Sequence, residues 1–491
     1  MNKTKSVAKN TIMNMFLTAS QFIFPLISFP YISRVLGAAG NGKISFAASV
    51  ISYFTMFASL GIPTYGIRAC ARCRDNKVEL SKCVHELLII NLITTAASYL
   101  VFCVLMFTVP KFMEEKKLFF VMSTSIFLNS LGMEWLYKAL EEYSYITIRS
   151  VAAKLLSLLF MFLFVRSPED YIIYGALTIL SSSGSYVLNV IQSRRIIEYR
   201  YYGNYELKKH LKPVLTLFAS SVAISVYNHM DAVMIGFMHG DFQNGLYSAT
   251  VRIKQILLSI TASLTMVLIP RMAYCFEKKD SKAIAEFVDK GIRFSALLAF
   301  PICFMCLLNA EDCMVFIAGK EYAEAKYAFI FQMLCMLAGT FSSVFSNQIL
   351  IPFGNDAANF KSMCVGTAVN LVLNSLWIKP YGAAGAAAAT FITECAVCLI
   401  LYLNCKKILP HEIKLRPLLH YLLAGIAAFG MTELLTVFVR SESIFLRLML
   451  FGCTSFALFF VILYVTKEPM LREIIKEGHK KLRGKTDRGE G

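Results

Sequence analysis

The chain has 491 residues, of which 57% are hydrophobic and 16% are charged, and its mean hydropathy is +0.58. Soluble globular proteins carry more charge and fewer long apolar runs, so this composition predicts a membrane protein. The net charge of +17 does not indicate nucleic-acid binding, because the basic residues are concentrated beside the apolar segments and mostly on one side of them.

Long apolar segments follow one another along the whole chain. Each is close to the ~20 residues that a helix needs to cross the hydrocarbon core. The segments are continuous rather than alternating, which favours helices over membrane β-strands. We therefore predict an all-α polytopic membrane protein with about 14 transmembrane helices. The predicted spans are 10–33, 44–67, 86–109, 118–137, 146–165, 171–193, 213–238, 246–270, 291–310, 325–350, 362–380, 383–405, 418–439 and 445–466.

The distribution of Lys and Arg predicts the orientation of the chain. Residues at segment ends are counted here with the adjoining loop. The side that carries the N-terminus then holds 35 basic residues and the opposite side holds 11. Such a bias marks the cytoplasmic side, so both termini are expected in the cytoplasm. The first apolar run is too long for a cleavable signal peptide and is expected to remain as a helix.

An internal repeat predicts two similar lobes. Five residues recur at an offset of 203 positions: Gly37, Asn41, Gly42, Ser45 and Arg68 recur as Gly240, Asn244, Gly245, Ser248 and Arg271. Doubled helical bundles are how many carriers build a substrate path. The predicted division is an N-terminal lobe of six helices at 1–195, a cytoplasmic linker at 196–212, a C-terminal lobe of six helices at 213–405, two appended helices at 406–466, and a basic cytoplasmic tail at 467–491.

Basic residues inside or beside the segments are the first candidate functional residues, because a charge in the bilayer is costly. Arg252 and Lys254 lie early in segment 8, and Lys154 lies in segment 5. Arg34 and Arg68 end segments 1 and 2. These residues could line a cationic path for an anionic group, since guanidinium and ammonium groups bind phosphate. The structural alternative is that they reach the membrane surface or pair with acids.

Acidic residues in apolar segments are candidates for ion coupling. Asp231 lies in segment 7 and Glu394 deep in segment 12. A carboxylate in a medium of low dielectric constant can bind and release a proton or a cation. A hydrogen-bonded contact between helices is the alternative for Asp231. Glu134, which precedes Trp135, is expected at the membrane interface instead.

Motifs for catalysis and for nucleotide binding are missing from the sequence. No Gly-x-x-x-x-Gly-Lys-Ser/Thr motif and no catalytic triad is visible, and the loops are too short to hold a catalytic domain. We therefore expect a transporter rather than an enzyme, with no cofactor and no metal site.

Two motifs resemble a known family, the polysaccharide-repeat flippases, which include the O-antigen (Wzx-like) flippases. The first motif is Tyr31–Gly37 followed by Gly40 and Gly42. The second is Asp231–Gly236 followed by Gly240, Gly245, Tyr247 and Pro270. The resemblance extends to the helix layout of the whole chain.

The resemblance implies the fold of the multidrug/oligosaccharidyl-lipid/polysaccharide exporters. It implies transfer of a polyprenyl-diphosphate-linked oligosaccharide from the inner to the outer leaflet of a bacterial cytoplasmic membrane, for O-antigen, capsule or exopolysaccharide synthesis. Arg252, Lys254, Arg34, Arg68 and Lys154 become candidates for binding the diphosphate. The expected partners are membrane lipids, H⁺ or Na⁺, a polysaccharide polymerase and a chain-length partner.

Three alternatives remain open. A cation-coupled multidrug antiporter of the same fold would require acids and aromatic residues for cationic substrates, whereas Arg252 and Lys254 favour an anion. A peptidoglycan-precursor flippase is hard to separate from a polysaccharide flippase by sequence. A polytopic glycosyltransferase or polymerase usually has a sizeable outer loop, and no loop here is long enough.

Overall fold

The structure is a computed structural model that describes residues 7–409, 412–436 and 443–476. The last residues of predicted segment 13 and most of the predicted basic tail lie outside the described residues. The described chain is helical and contains no β-strand. By its internal contacts the chain divides into two compact units. Unit 1 runs to Ser248 and includes Asn374–Ala383, and unit 2 comprises Ala249–Leu373 and the chain from Ala384.

Among the described residues, ten helices belong to unit 1, and an eleventh begins there and continues into unit 2. They are joined by a 3₁₀ turn at Pro168–Asp170 and a π-helical stretch at Leu180–Gly184. The helices are α1 (Val7–Ser59), α2 (Ile62–Arg72), α3 (Lys77–Thr108), α4 (Pro110–Glu114), α5 (Lys116–Leu131), α6 (Glu134–Ala139), α7 (Tyr143–Phe164), α8 (Tyr171–Ile179), α9 (Tyr186–Ser193), α10 (Leu207–Met238) and α11 (Asp241–Thr261).

Within the described residues, unit 2 contains the helices given below, except for the part of α16 that belongs to unit 1, and a further helical stretch over 469–476. A 3₁₀ turn at Lys320–Ala325 and a π-helical stretch at Val344–Leu350 flank α15. The helices are α12 (Ser263–Glu277), α13 (Ser281–Leu308), α14 (Ala310–Ala318), α15 (Lys326–Ser343), α16 (Asp356–Ile408), α17 (Arg416–Thr436) and α18 (Ile444–Val465).

Ten helical stretches of the described chain are long and apolar enough to cross a membrane. This confirms the predicted all-α polytopic class, while the count of fourteen stays a prediction. Two stretches, Lys9–Arg72 and Asp356–Ile408, have 64 and 53 residues, more than twice the ~20 that one crossing needs. Each contains a glycine with positive φ, at Gly37 (66°) and Gly382 (54°), where sequence analysis separates two segments.

Several predicted segments contain breaks in the structure. Pro25 and Pro30 lie inside α1, and the backbone leaves helical geometry at Gly37. Predicted segment 4 is interrupted after α5, where Met133 has a φ of 43°. Predicted segment 8 is divided between α11 and α12. Neither part of segment 8 is among the ten stretches that are long and apolar enough to cross a membrane.

The predicted linker at 196–212 is tied to α3 within unit 1. Helix α10 already begins at Leu207, and the buried Glu86 carboxylate accepts hydrogen bonds from the Glu206 backbone N–H (2.8 Å) and from Lys209 (2.9 Å). Lys77 of α3 pairs with Glu198 at 3.3 Å. The Tyr202 hydroxyl donates a hydrogen bond to Glu198, and with Lys77 it holds the pKa of that carboxyl below its usual value.

The repeated glycines meet in a reciprocal contact inside unit 1. A Cβ atom added at Gly42 would lie 1.7 Å from the Asp241 carbonyl oxygen, and one added at Gly245 would lie 1.8 Å from the Ala38 carbonyl oxygen. Asp241 and Ala38 are themselves 203 positions apart. Asn244 donates a hydrogen bond of 3.0 Å to the Gly42 carbonyl across the contact. Two copies of one sequence motif therefore pack through equivalent atoms, which explains why glycine occupies both positions.

Candidate functional site

A cavity of about 610 Å³ lies within unit 1, among α1, α5, α10 and the segment from Thr178 to Tyr186. Eleven of its eighteen lining residues carry a hydroxyl or an amide, so it is a polar space inside otherwise apolar helices. Of the described residues that line it, none is charged. The polar side chains are Ser52, Thr55, Ser59, Ser125, Asn129, Thr178, Ser182, Ser183, Tyr186, Ser221 and Ser225.

Helical spacing places these hydroxyls on the cavity. Residues three or four apart share one face of a helix, as Ser52 and Thr55 do on α1 and Ser221 and Ser225 do on α10. The π-helical stretch Leu180–Gly184 lies in the cavity wall, and such bulges occur often at functional sites. Sequence analysis missed this site, although polar stripes inside apolar segments were a usable signal.

A buried ion pair adjoins the cavity at Tyr186. Arg149 donates to Glu134 at 3.1 Å and to Ser185 at 3.1 Å, and its guanidinium lies 5.1 Å from the Tyr186 ring centre. The Arg149 side chain is 2% exposed. Lys138 completes the pairing of Glu134 at 2.8 Å. The interface position of Glu134 stays a prediction, and its carboxylate neutralises a buried arginine that sequence analysis did not single out.

The predicted basic residues of unit 1 lie apart from the cavity lining. Arg34 is exposed and donates a hydrogen bond to the Pro30 carbonyl of its own helix at 2.6 Å. Arg68 is exposed and lies in the C-terminal half of α2. Lys154 is half-buried, donates to Ser20 at 2.9 Å and lies 5.8 Å from the Phe24 ring centre. None of these three basic residues is part of the described cavity lining.

Asp231 is buried in unit 1 and is held by two polar side chains. Asn374 donates to it at 2.6 Å, and Tyr247 donates a short hydrogen bond to its other oxygen. These contacts join α10, α11 and the part of α16 that belongs to unit 1. Such an arrangement satisfies a buried carboxylate and is consistent with the structural alternative as well as with ion coupling.

Arg252, Lys254 and Glu394 belong to unit 2, and all three side chains are half-buried. Lys254 lies 3.7 Å from the Cys335 sulfur of α15. One turn further along α15, a Cβ atom at Gly339 would lie 3.6 Å from a Glu394 carboxylate oxygen. Lys254 and Glu394 therefore lie beside the same face of α15. The sequence alone did not show that this predicted cation and this predicted acid share a neighbouring helix.

Comparison with known proteins identifies the family. Residues 7–276, more than half of the chain, match the family described as polysaccharide biosynthesis protein. The chain belongs to this family. Residues 217–378 also match the MatE family. The family expected from the two motifs is therefore confirmed.

Two relatives show how far the likeness extends. A candidate O-antigen transporter of Escherichia coli (strain K12) is 21% identical over 403 residues, which cover 81% of this chain and 96% of that protein. A candidate low-salt glycan biosynthesis flippase of Haloferax volcanii is 25% identical over 179 residues, covering 35% of this chain and 37% of that protein.

Solved structures share the fold. The lipid II flippase MurJ in an inward closed conformation has a TM-score of 0.75 at 16% identity, and the match covers 93% of this chain and 99% of MurJ. An inward-facing multidrug resistance MATE family transporter of the MOP superfamily has a TM-score of 0.56 at 12% identity, covering 78% of this chain and 97% of that protein. These likenesses confirm the predicted exporter fold of a multi-pass membrane protein.

Proposed function

We propose that this protein is a flippase that moves polyprenyl-diphosphate-linked oligosaccharide repeat units from the inner to the outer leaflet of the bacterial cytoplasmic membrane. The observation that carries the proposal is the family match over residues 7–276. The near full-length likeness to a candidate O-antigen transporter supports it. The product would serve the synthesis of a surface polysaccharide.

The polar cavity supplies a physical reason for this substrate class. A diphosphate-linked sugar cannot enter hydrocarbon unaided, because its polar groups would lose their hydrogen bonds to water. Its lipid tail never needs to leave the bilayer. Mostly half-buried hydroxyl side chains on apolar helices offer hydrogen bonds to such a head group. Alternating access to the two sides of the membrane would then move the head while the tail remains in lipid.

The diphosphate needs cations, and five residues remain our candidates. Arg252 and Lys254 are half-buried, where a phosphate interaction is weakened least by water. Lys154 is half-buried as well, whereas Arg34 and Arg68 are exposed and would act on a head group at the membrane surface. Arginine binds phosphate through two parallel hydrogen bonds, while lysine acts as a point charge.

Energy coupling is proposed to use H⁺ or Na⁺ through Asp231 or Glu394. The excess of basic residues on one side supports cytoplasmic termini. A transporter of repeat units would work beside a polysaccharide polymerase and a chain-length partner. The proposal assigns no chemical reaction to the protein.

A cation-coupled multidrug antiporter is the second candidate, and the MatE match over residues 217–378 favours it. Such a protein needs a carboxylate that meets a cationic substrate. The described lining of the unit 1 cavity has no acid, so a cationic drug would meet no carboxylate there. A peptidoglycan-precursor flippase is the other alternative, since the fold of this chain resembles that of MurJ. Transport of peptidoglycan precursors must be compared with transport of polysaccharide repeat units to separate the two functions.

Reconstituted vesicles test the proposal. The purified chain is placed in liposomes with a fluorescent polyprenyl diphosphate disaccharide, and an impermeant quencher reports how much probe reaches the outer leaflet. Protein-dependent movement of this probe, with ethidium left unmoved, supports the flippase. Saturable ethidium transport without movement of the lipid probe would establish the antiporter instead.

A further inference from the structure

The direction of the hydrogen bonds in the unit 1 cavity is the starting point. A hydroxyl has one proton to donate and two lone pairs that accept. Ser52 donates its proton to the Ala48 carbonyl at 2.8 Å, and Thr55 donates to Ile51 at 2.9 Å, both within α1. Their protons are therefore used by their own helix, as is common for hydroxyls in apolar helices.

The other walls repeat this pattern. Thr178 donates to the Gly175 carbonyl at 2.7 Å, and Ser125 donates to the Met122 carbonyl at 2.8 Å. Asn129 has two amide protons, and it donates to the Ser125 carbonyl at 2.8 Å and to the Ser183 hydroxyl at 3.1 Å. The protons of these side chains are committed to the protein, so what they can offer to a ligand is mainly lone pairs.

The uncharged lining, with acceptors at the committed hydroxyls, favours some ligand chemistries over others. A diphosphate presents only acceptors and negative charge, so it would meet no cation in the described lining and only lone pairs at Ser52, Thr55, Ser125 and Thr178. A cationic drug would find no carboxylate there. A sugar presents many hydroxyl protons and no charge, and each proton needs an acceptor once water is excluded. The lining therefore matches a neutral, hydroxyl-rich ligand.

One wall is held rigid by the charge network beside it. The Arg149 guanidinium, which pairs with Glu134 at 3.1 Å, lies 5.1 Å from the Tyr186 ring centre. This contact restrains the Tyr186 ring before any ligand arrives, which reduces the entropy lost on binding. A volume of about 610 Å³ falls in the range of ordinary small-molecule pockets.

We propose that the unit 1 cavity binds the sugar part of the transported lipid and not its diphosphate, an inference that rests on the proposed flippase function. Ser52, Thr55 and Thr178 act as acceptors for sugar hydroxyl protons. The cavity thus contributes recognition of the glycan, while the charge of the substrate is bound by other residues.

Paired probes test this assignment on the full chain in lipid nanodiscs. One probe is farnesyl diphosphate, and the other is farnesyl diphosphate carrying a disaccharide that contains N-acetylglucosamine. The test variant combines Ser52→Ala, Thr55→Val and Thr178→Val. The control variant combines Thr108→Val, Thr124→Val and Thr367→Val, which also remove hydroxyls that donate to their own helix but that do not line the cavity.

The expected result is a selective loss. Each lost hydrogen bond weakens binding by about 2- to 10-fold, so the test variant, which loses three, should bind the disaccharide probe at least about 8-fold more weakly. Its affinity for farnesyl diphosphate should match that of the unaltered protein, and the control variant should bind both probes normally.

The other outcomes overturn distinct statements. If the unaltered protein binds the disaccharide probe more tightly than farnesyl diphosphate and the test variant keeps that preference, the sugar site lies elsewhere and the flippase proposal stands. Equal weakening of both probes would show that the cavity binds the diphosphate or a region common to both. Failure of the unaltered protein to bind either probe would overturn the proposed function and, with it, this assignment.

Discussion

One methyl group added at Gly42 tests the reciprocal contact between the two copies of the repeat. In Gly42→Ala the new Cβ atom would lie 1.7 Å from the Asp241 carbonyl oxygen, 2.6 Å from its carbonyl carbon and 2.8 Å from the Gly245 nitrogen. Non-bonded heavy atoms rarely approach within ~3 Å, so the two backbones must separate by roughly 1.5 Å. All three obstacles are backbone atoms, which cannot rotate away as a side chain can.

The cost follows from two terms. Forcing an extra methyl group into a packed contact typically costs about 1–3 kcal/mol. The separation also breaks the hydrogen bond from Asn244 to the Gly42 carbonyl, which contributes about 1 kcal/mol. We expect Gly42→Ala to destabilise the protein by about 2–4 kcal/mol. Combining it with Gly245→Ala should cost less than the sum, because the first change already opens the contact that the second would strain.

Thermal unfolding in detergent, followed with a thiol-reactive fluorophore, measures this effect, because buried free cysteines such as Cys70 and Cys303 react as the protein opens. The matched control is Gly430→Ala in α17, where an added Cβ meets no described atom within 4 Å. That change should leave the melting temperature unchanged or raise it slightly, since alanine favours helix. A melting temperature of Gly42→Ala equal to that of Gly430→Ala would refute the reciprocal contact.

Three further predictions concern charged residues. Arg252→Ala with Lys254→Ala should abolish lipid-probe transport while the protein still inserts, because the diphosphate loses its cations; normal transport would remove both residues from the mechanism. Asp231→Asn should fold, since an amide can still accept from Asn374, and should alter the H⁺ or Na⁺ dependence of transport; an unchanged dependence would make Asp231 structural. Arg149→Met should lower the free energy of unfolding by about 1–3 kcal/mol, because the half-buried Glu134 loses one of its two cationic partners and keeps only Lys138; an unaltered melting temperature would contradict this prediction.

Matched controls sharpen two of these tests. Lys116→Ala with Lys117→Ala also removes two positive charges, but from exposed positions at the start of α5, and should transport normally. Arg149→Lys retains a charge near Glu134 but loses the planar fork that reaches Ser185, so its stability should fall between those of the unaltered protein and Arg149→Met.

Much of the fold follows from local sequence. Twenty apolar residues in a row have few alternatives to a helix in a membrane, because every backbone polar group must be paired internally. The boundary between predicted segments 11 and 12 matches the kink at Gly382, and that between segments 1 and 2 contains the kink at Gly37.

The candidate site depends on contacts that local sequence does not encode. Charged residues such as Arg34 and Arg68 were selected because a charge in an apolar segment is conspicuous, and both prove to be exposed. The hydroxyls of Ser52 and Thr178 are inconspicuous one at a time. Only packing of several helices brings them around one space. Arg149 was missed because its burial depends on Glu134 from another helix.

The sequence alone determined that this chain is an all-helical membrane protein with an internal repeat, since both conclusions rest on composition and spacing. It also indicated the family, because each of the two motifs lies within a limited range of the sequence, and the match over residues 7–276 confirmed it. The tertiary structure decided that the repeated glycines pack against each other. It also decided that hydroxyl side chains from several helices line one cavity, whose described lining has no charged residue. Those features depend on which helix faces meet, and residues distant in sequence set that arrangement.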